Sequence, residues 1–175
     1  NQHEIGTIPS NVMINEKTTE VSYGGLAGRV DAVTWFVIGV CQYAIHTNDH
    51  SFLEKHEVKI EKALELLEAW EFNNKHLIYV PLSGNWADEY ITDGYVLYDQ
   101  LLRIWALKNY NNFKKSEKLA LKIKHINEQV ECNFFPNSNQ EKFHDRAYNE
   151  LEFKTYLPCS FSPSGYKNQF DAFAN

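Results

Sequence analysis

Residues 83–90 read Ser-Gly-Asn-Trp-Ala-Asp-Glu-Tyr, and a strongly apolar stretch follows at 95–107. Carbohydrate chemistry draws on these residue types. An indole face stacks on the apolar face of a sugar ring, and a carboxylate accepts hydrogen bonds from two hydroxyls. Trp86, Asp88 and Glu89 are therefore substrate-binding candidates. The same pattern also suits a packed loop aromatic beside a helix-capping acid. Adjacent carboxylates in one loop are poorly placed to work on opposite faces of one sugar. The segment therefore suits gripping a ring better than cutting a bond.

Asp31 is a second place where a carboxylate meets an apolar stretch. It follows Arg29 and opens a run, 32–45, in which nearly every residue is apolar. Apolar surroundings raise a carboxyl pKa, as a general acid requires, whereas a helix N-terminus and Arg29 lower it. An aspartate is also a common first-turn residue without any catalytic role.

Other chemistries are poorly supported. His46, His50, His56, His76, His125 and His144 lack metal-ligand spacing with acids or cysteines, so no metal and no cofactor is expected. Cys41, Cys132 and Cys159 form neither a disulfide framework nor a metal motif. Cys41 sits in an apolar helix and reads as core. No nucleophile elbow, phosphate loop or dinucleotide fingerprint occurs. The formal charge of −6 disfavours nucleic acid as a partner. The run 32–45 is shorter than the about 20 residues of a membrane span. No basic-then-apolar leader is present, which points to a cytoplasmic location; a segment upstream of Asn1 would change that.

The elements that must position these residues alternate in character. Residues 1–28 read as irregular, broken by Pro9, Gly24, Gly25 and Gly28. A helix over 30–46 is apolar on almost all sides and should be buried on almost all sides. Ser51-Phe52-Leu53-Glu54 matches a capping box for a one-sided helix over 52–72, with Leu53, Ile60, Leu64 and Leu67 on its stripe. His76–Val80 is a short strand candidate ended by Pro81. Thr92 or Asp93 is placed to cap a third, mostly buried helix over 94–110. A fourth, over 113–131, is one-sided, with Leu119, Ile123, Ile126 and Val130 opposite its lysines. Residues 133–169 form a long loop, and Phe170-Asp171-Ala172-Phe173 looks like the start of another buried helix. The buried starts near 31, 94 and 171 are roughly 63 and 77 residues apart, a loose helical-hairpin repeat.

Three stretches carry a family resemblance. They are Tyr23-Gly24-Gly25…Gly28-Arg29-Val30-Asp31-Ala32…Trp35-Phe36, then Gly84-Asn85-Trp86-Ala87-Asp88-Glu89-Tyr90…Gly94-Tyr95, and Phe161-Ser162-Pro163-Ser164-Gly165-Tyr166…Phe170-Asp171-Ala172-Phe173-Ala174-Asn175. Their order and spacing resemble the (α/α)6-barrel, or six-hairpin, glycoside hydrolases. The similarity is greatest to mannosylglycerate-hydrolase-like and neutral-invertase-like members, related to glycogen-debranching glucosidases. It spans roughly 20–175, and no single motif is diagnostic.

The resemblance implies an all-α fold of alternating inner and outer helices in an (α/α) toroid, incomplete in this chain. Residues 1–175 would then be a single domain: an irregular lead-in over 1–28, and helical hairpins over 29–175 belonging to a larger catalytic barrel. It implies an inverting glycosidase with Asp31 as general acid and a base in later hairpins, beyond Asn175. Asp88 and Glu89 are the only local substitutes for that base. Tyr23, Arg29, Trp35 and Tyr95 join Trp86, Asp88 and Glu89 as candidates to line the cleft; Tyr90, Tyr166 and Asp171 are softer ones. The expected partner is a carbohydrate, with self-association if later hairpins are missing. The alternative is a non-catalytic carbohydrate-binding or interaction fragment of the same toroid. Sugar and linkage stay open.

Overall fold

Helix α1 (Val30–Thr47) begins where the Gly28–Arg29 segment ends, and stops at Asn48, which takes a left-handed φ of 55°. A short polar side chain tolerates that conformation better than most, so the chain reverses there. Helix α2 (His50–Ala69) follows at once. These elements come from a computed structural model that describes residues 5–24, 28–71, 76–87, 93–135 and 160–161. The remaining described elements are β1 (Asn11–Ile14), β2 (Thr19–Ser22), β3 (Tyr95–Val96), α3 (Leu97–Lys114), α4 (Glu117–Phe134) and β4 (Ser160–Phe161). The described part is mostly helical, in line with the all-α expectation.

Several local expectations need correction. The lead-in is not wholly irregular: β1 and β2 pair antiparallel, Asn11 opposite Ser22 through Ile14 opposite Thr19. Ser51 does not cap α2. Asp49 is the N-cap and accepts from the Phe52 amide at 3.0 Å, while the Ser51 hydroxyl donates to Asp49 at 2.7 Å. The capping side chain lies two residues earlier than the box pattern places it. Residues 76–79 form no strand; only Val80 pairs, bridging Gly94. Helix α3 starts later than expected and has no side-chain cap, because Tyr95–Val96 are drawn into a two-residue pairing with β4. The fourth helix starts later than 113: Lys114 ends α3, Lys115 sits in the left-handed turn, and Ser116 caps α4. Residues 170–175 and the expected third buried helix lie outside the described residues.

Helix α1 packs on α2 and α3, and α3 packs on α4. One cluster joins Val33, Val37, Cys41 and Ala44 of α1 to Leu53, Ile60, Ala63 and Leu67 of α2 and to Leu102, Ala106 and Tyr110 of α3. A second joins Leu77 and Tyr95 to Ile104 and Leu107 of α3 and to Ile126, Val130 and Phe134 of α4. Leu64 and Leu119 pack against both clusters. Cys41 is buried, as expected, and burial pushes its thiol up to about 12.

Helices α1 and α3 run parallel. Trp35, near the start of α1, donates to the Tyr98 hydroxyl at 3.1 Å, and Gln42 donates to Asn109 at 3.1 Å further along both. Their N-termini therefore lie at the same end. The reading of α1 and α3 as buried on almost all sides fails on one face each. Trp35, Tyr43 and Ile45 of α1 are exposed, as are Leu101 and Trp105 of α3.

Polar side chains hold the connection between α2 and α3. Gln100 donates to the Ile78 carbonyl at 2.8 Å and accepts from its amide at 3.0 Å. Arg103, almost fully buried, donates to the His76 carbonyl and pairs with Glu71, which also pairs with Lys122 of α4. Burial of a guanidinium is tolerated only with such partners. Val80 and Gly94 exchange both backbone hydrogen bonds, at 2.7 and 2.9 Å, closing the base of the loop that carries Trp86.

Candidate active site at the paired helix starts

The shared N-terminal end of α1 and α3 brings the proposed acid and the tryptophan loop together. The Val30 amide donates to the Gly84 carbonyl at 2.8 Å, and Arg29 donates to the Asn85 carbonyl at 2.6 Å. Two glycines make this approach possible. A Cβ on Gly24, whose φ is +68°, would lie 2.2 Å from Arg29 Nε, and one on Gly84 would lie 2.7 Å from the Pro81 carbonyl oxygen. A larger residue would push aside the Arg29 side chain at the first and the Pro81 turn at the second.

Asp31 sits in the first turn of α1 and is buried. Its Oδ1 accepts from the Ala32 amide at 3.0 Å. Burial raises its pKa above the ordinary carboxyl value; the Ala32 and Trp86 amides and the Arg29 charge pull it part of the way back. The opposition foreseen between burial and the helix start is thus won by burial. A carboxyl so placed keeps its proton to higher pH than a surface aspartate.

Trp86 is 61 % exposed, yet its amide is directed at Asp31. Its ring lies 6.2 Å from that of Tyr98, edge to face. Tyr98 in turn accepts from Trp35, whose ring meets Trp105 edge-on at 5.6 Å. Trp86, Tyr98, Trp35 and Trp105 therefore form a continuous row of rings, its three tryptophans open to solvent, beginning beside Asp31. Burial raises the Tyr98 pKa, and the nearby Asp31 and Asp99 add to it despite the opposing Trp35 hydrogen bond, so the phenol stays protonated.

Asp99 has a place in this site that its sequence position did not suggest. It lies in the first turn of α3, with its side chain and backbone wholly buried. Burial pushes its carboxyl up to about 7; the Asn85 hydrogen bond opposes this, and the nearby Asp31 adds to it. Asn85 Nδ2 donates to Asp99 Oδ2 at 2.9 Å, and Asn85 Oδ1 accepts from the Ala87 amide at 3.0 Å.

Of the eight site residues expected from sequence, Asp31, Arg29, Trp86 and Trp35 come together here. Tyr95 does not. It is 2 % exposed, packs edge-on against Tyr79 at 5.8 Å, and belongs to the core between α3 and α4. Its partner strand position turns the ring inward rather than toward Asp31. Tyr23 is half-buried just ahead of Gly24. Asp88 and Glu89 lie outside the described residues, as do Tyr90, Tyr166 and Asp171. Asn85, Tyr98, Asp99 and Trp105 were not assigned a role from sequence. The available signal was the polar pair Asp99–Gln100 inside an otherwise apolar helix face.

Among the described residues no group of three His, Cys, Asp or Glu side chains is arranged to hold a metal ion. None of the described helices is long and apolar enough to cross a membrane. No family model matches the chain, and no curated protein matches it.

Proposed function

We propose that this chain is a glycoside-hydrolysing domain, or the acid-bearing part of one, in which Asp31 is the general acid and Trp86 grips the sugar. The observation that carries this reading is a buried carboxyl, its pKa raised by burial, that receives the backbone amide of an exposed tryptophan. The indole would supply a stacking face for a ring, and the carboxyl would give its proton to the leaving oxygen. Trp35, Tyr98 and Trp105 extend the stacking surface. Arg29 acts through the backbone, holding the Asn85 carbonyl and so the loop. In this reading α1 and α3 are inner helices of an (α/α) toroid, α2 and α4 are outer ones, and the mechanism inverts with the base in a later hairpin. The expected partner is a carbohydrate.

The test is glycoside release by the 175-residue chain from a panel of aryl glucosides, mannosides and sucrose-like disaccharides. Asp31→Asn should lower the rate by about 10²–10⁴-fold with natural leaving groups. It should spare sugar binding measured by Trp86 fluorescence. Saturable binding with no turnover in either protein would favour the second reading, a carbohydrate-binding module using the same ring surface. Absence of both binding and turnover would reject the site.

A further inference from the structure

Four hydrogen bonds converge on the two residues Gly84 and Asn85. Val30 holds the Gly84 carbonyl and Arg29 holds the Asn85 carbonyl. The Asn85 side chain then spans two elements, accepting from Ala87 and donating to Asp99. The first two anchors come from the start of α1, and the Asp99 anchor comes from the start of α3. Trp86 lies between Asn85 and Ala87, so the side-chain amide of Asn85 clamps the backbone on both sides of it. Asp99 is wholly buried, and its Oδ1 has no hydrogen-bond partner among the described residues. A buried carboxyl with one unused oxygen is expensive to keep unless its position matters.

We propose that Asp99 is a positioning residue: through Asn85 it locks the Gly84–Ala87 segment, so that the Trp86 amide stays on Asp31 and the Trp86 ring keeps its place beside Tyr98. The groups facing Asp99 fit this role. Asp31 lies across from it on α1, Tyr98 precedes it on its own helix, and Arg29 reaches the same Asn85 from ahead of α1. A permanent charge on Asp99 beside Asp31 would oppose Asp31 ionisation, whereas a neutral carboxyl holds Asn85 without that repulsion. Burial keeps Asp99 in that neutral form up to about neutrality. The loop lock and the ionisation of Asp31 are then coupled, and the pair titrates in two linked steps.

The inference rests on the reading of Asp31 as the acid, but its test needs no substrate. Asp31 ionisation is followed by carbon NMR in the whole chain labelled at aspartate side chains, with Asp31→Asn assigning the signal. Asp99→Asn and Asp99→Ala both remove the titrating carboxyl beside Asp31, and only Asp99→Asn keeps an oxygen for Asn85 to donate to. Asp99→Ala should therefore titrate Asp31 at a higher pH than Asp99→Asn, because the Trp86 amide has left it. Trp86 emission, isolated by difference from Trp86→Phe, should change in Asp99→Ala and return toward the parent protein in Asp99→Asn. Asn85→Ala cuts the same bond from the loop side and should reproduce the Asp99→Ala behaviour, which keeps the test open should Asp99→Ala not fold. Equal Asp31 midpoints in Asp99→Asn, Asp99→Ala and Asn85→Ala would overturn the lock. A lock that holds in a chain with no glycosidase activity would leave the positioning intact and remove only the catalytic reading.

Discussion

The two first-turn aspartates illustrate how similar sequence settings give different chemistry. Asp31 receives the amides of Ala32 and Trp86 and faces the charge of Arg29, so burial raises its pKa only against resistance. Asp99 is buried more completely, and its main side-chain partner is one neutral amide. Its carboxyl is pushed to about 7. That shift has a stability consequence. As pH rises through the ordinary value of 3.8, Asp99 loses its proton in the unfolded chain but keeps it in the folded one. The folded state then binds more protons, so stability falls between about pH 4 and pH 7 and levels off above. The full penalty is about 4 kcal/mol. Asp99→Asn removes it. Thermal unfolding across pH 4–8 should show the Asp99→Asn protein gaining on its parent steadily up to neutrality, then holding a constant lead. A lead that does not grow with pH would mean that Asp99 is ionised in the fold.

At the scale of elements, hydrophobic period made the four helices legible. Their ends were not legible where a competing interaction decided them. The capping box at Ser51 lost to Asp49, one residue ahead of α2, whose carboxylate reaches the Phe52 amide directly. The start of α3 was displaced by pairing between Tyr95–Val96 and residues 160–161, a contact no local pattern reports. The same pairing accounts for the misplacement of Tyr95. Its neighbours in sequence marked it as a cleft residue, whereas the strand turns it into the core. The polar tie between α2, α3 and α4 was also invisible, because Glu71, Arg103 and Lys122 lie far apart in the chain. Arg103 and Glu71 are almost fully buried, so removing one leaves a charge without its partner. Glu71→Ala should cost about 3–5 kcal/mol in urea unfolding. Lys114→Ala, which breaks an exposed pair with Glu57 at the far end of α3, should leave the same midpoint nearly unchanged. A small effect at Glu71 would show that Glu68 and solvent compensate Arg103.

Across the whole molecule, α1 and α3 are the most apolar helices, yet each leaves a face uncovered. The open residues are not random in position. Trp35 and Trp105 touch each other across the two helices, with Leu101 one turn from Trp105, and Tyr43 and Ile45 continue the exposed side of α1. The opposite sides of the same helices are packed into the core with α2 and α4. The apolarity of α1 and α3 predicts burial on almost all sides of the first and most sides of the second; the described residues leave one face of each open. Contiguous exposed rings and aliphatic side chains of this kind lower their free energy by meeting another apolar surface. In a solution of this chain alone, the surface available is a second copy. The sedimentation coefficient should therefore rise with protein concentration. Replacing Leu101 and Trp105 with glutamine should abolish that rise while leaving the helical circular dichroism unchanged. Both positions face outward, so the double variant separates association from folding; Trp105 also extends the proposed stacking surface, so sugar binding should weaken in the same variant. A parent chain that sediments as a monomer at every concentration would show that the remaining residues of the chain cover this face themselves.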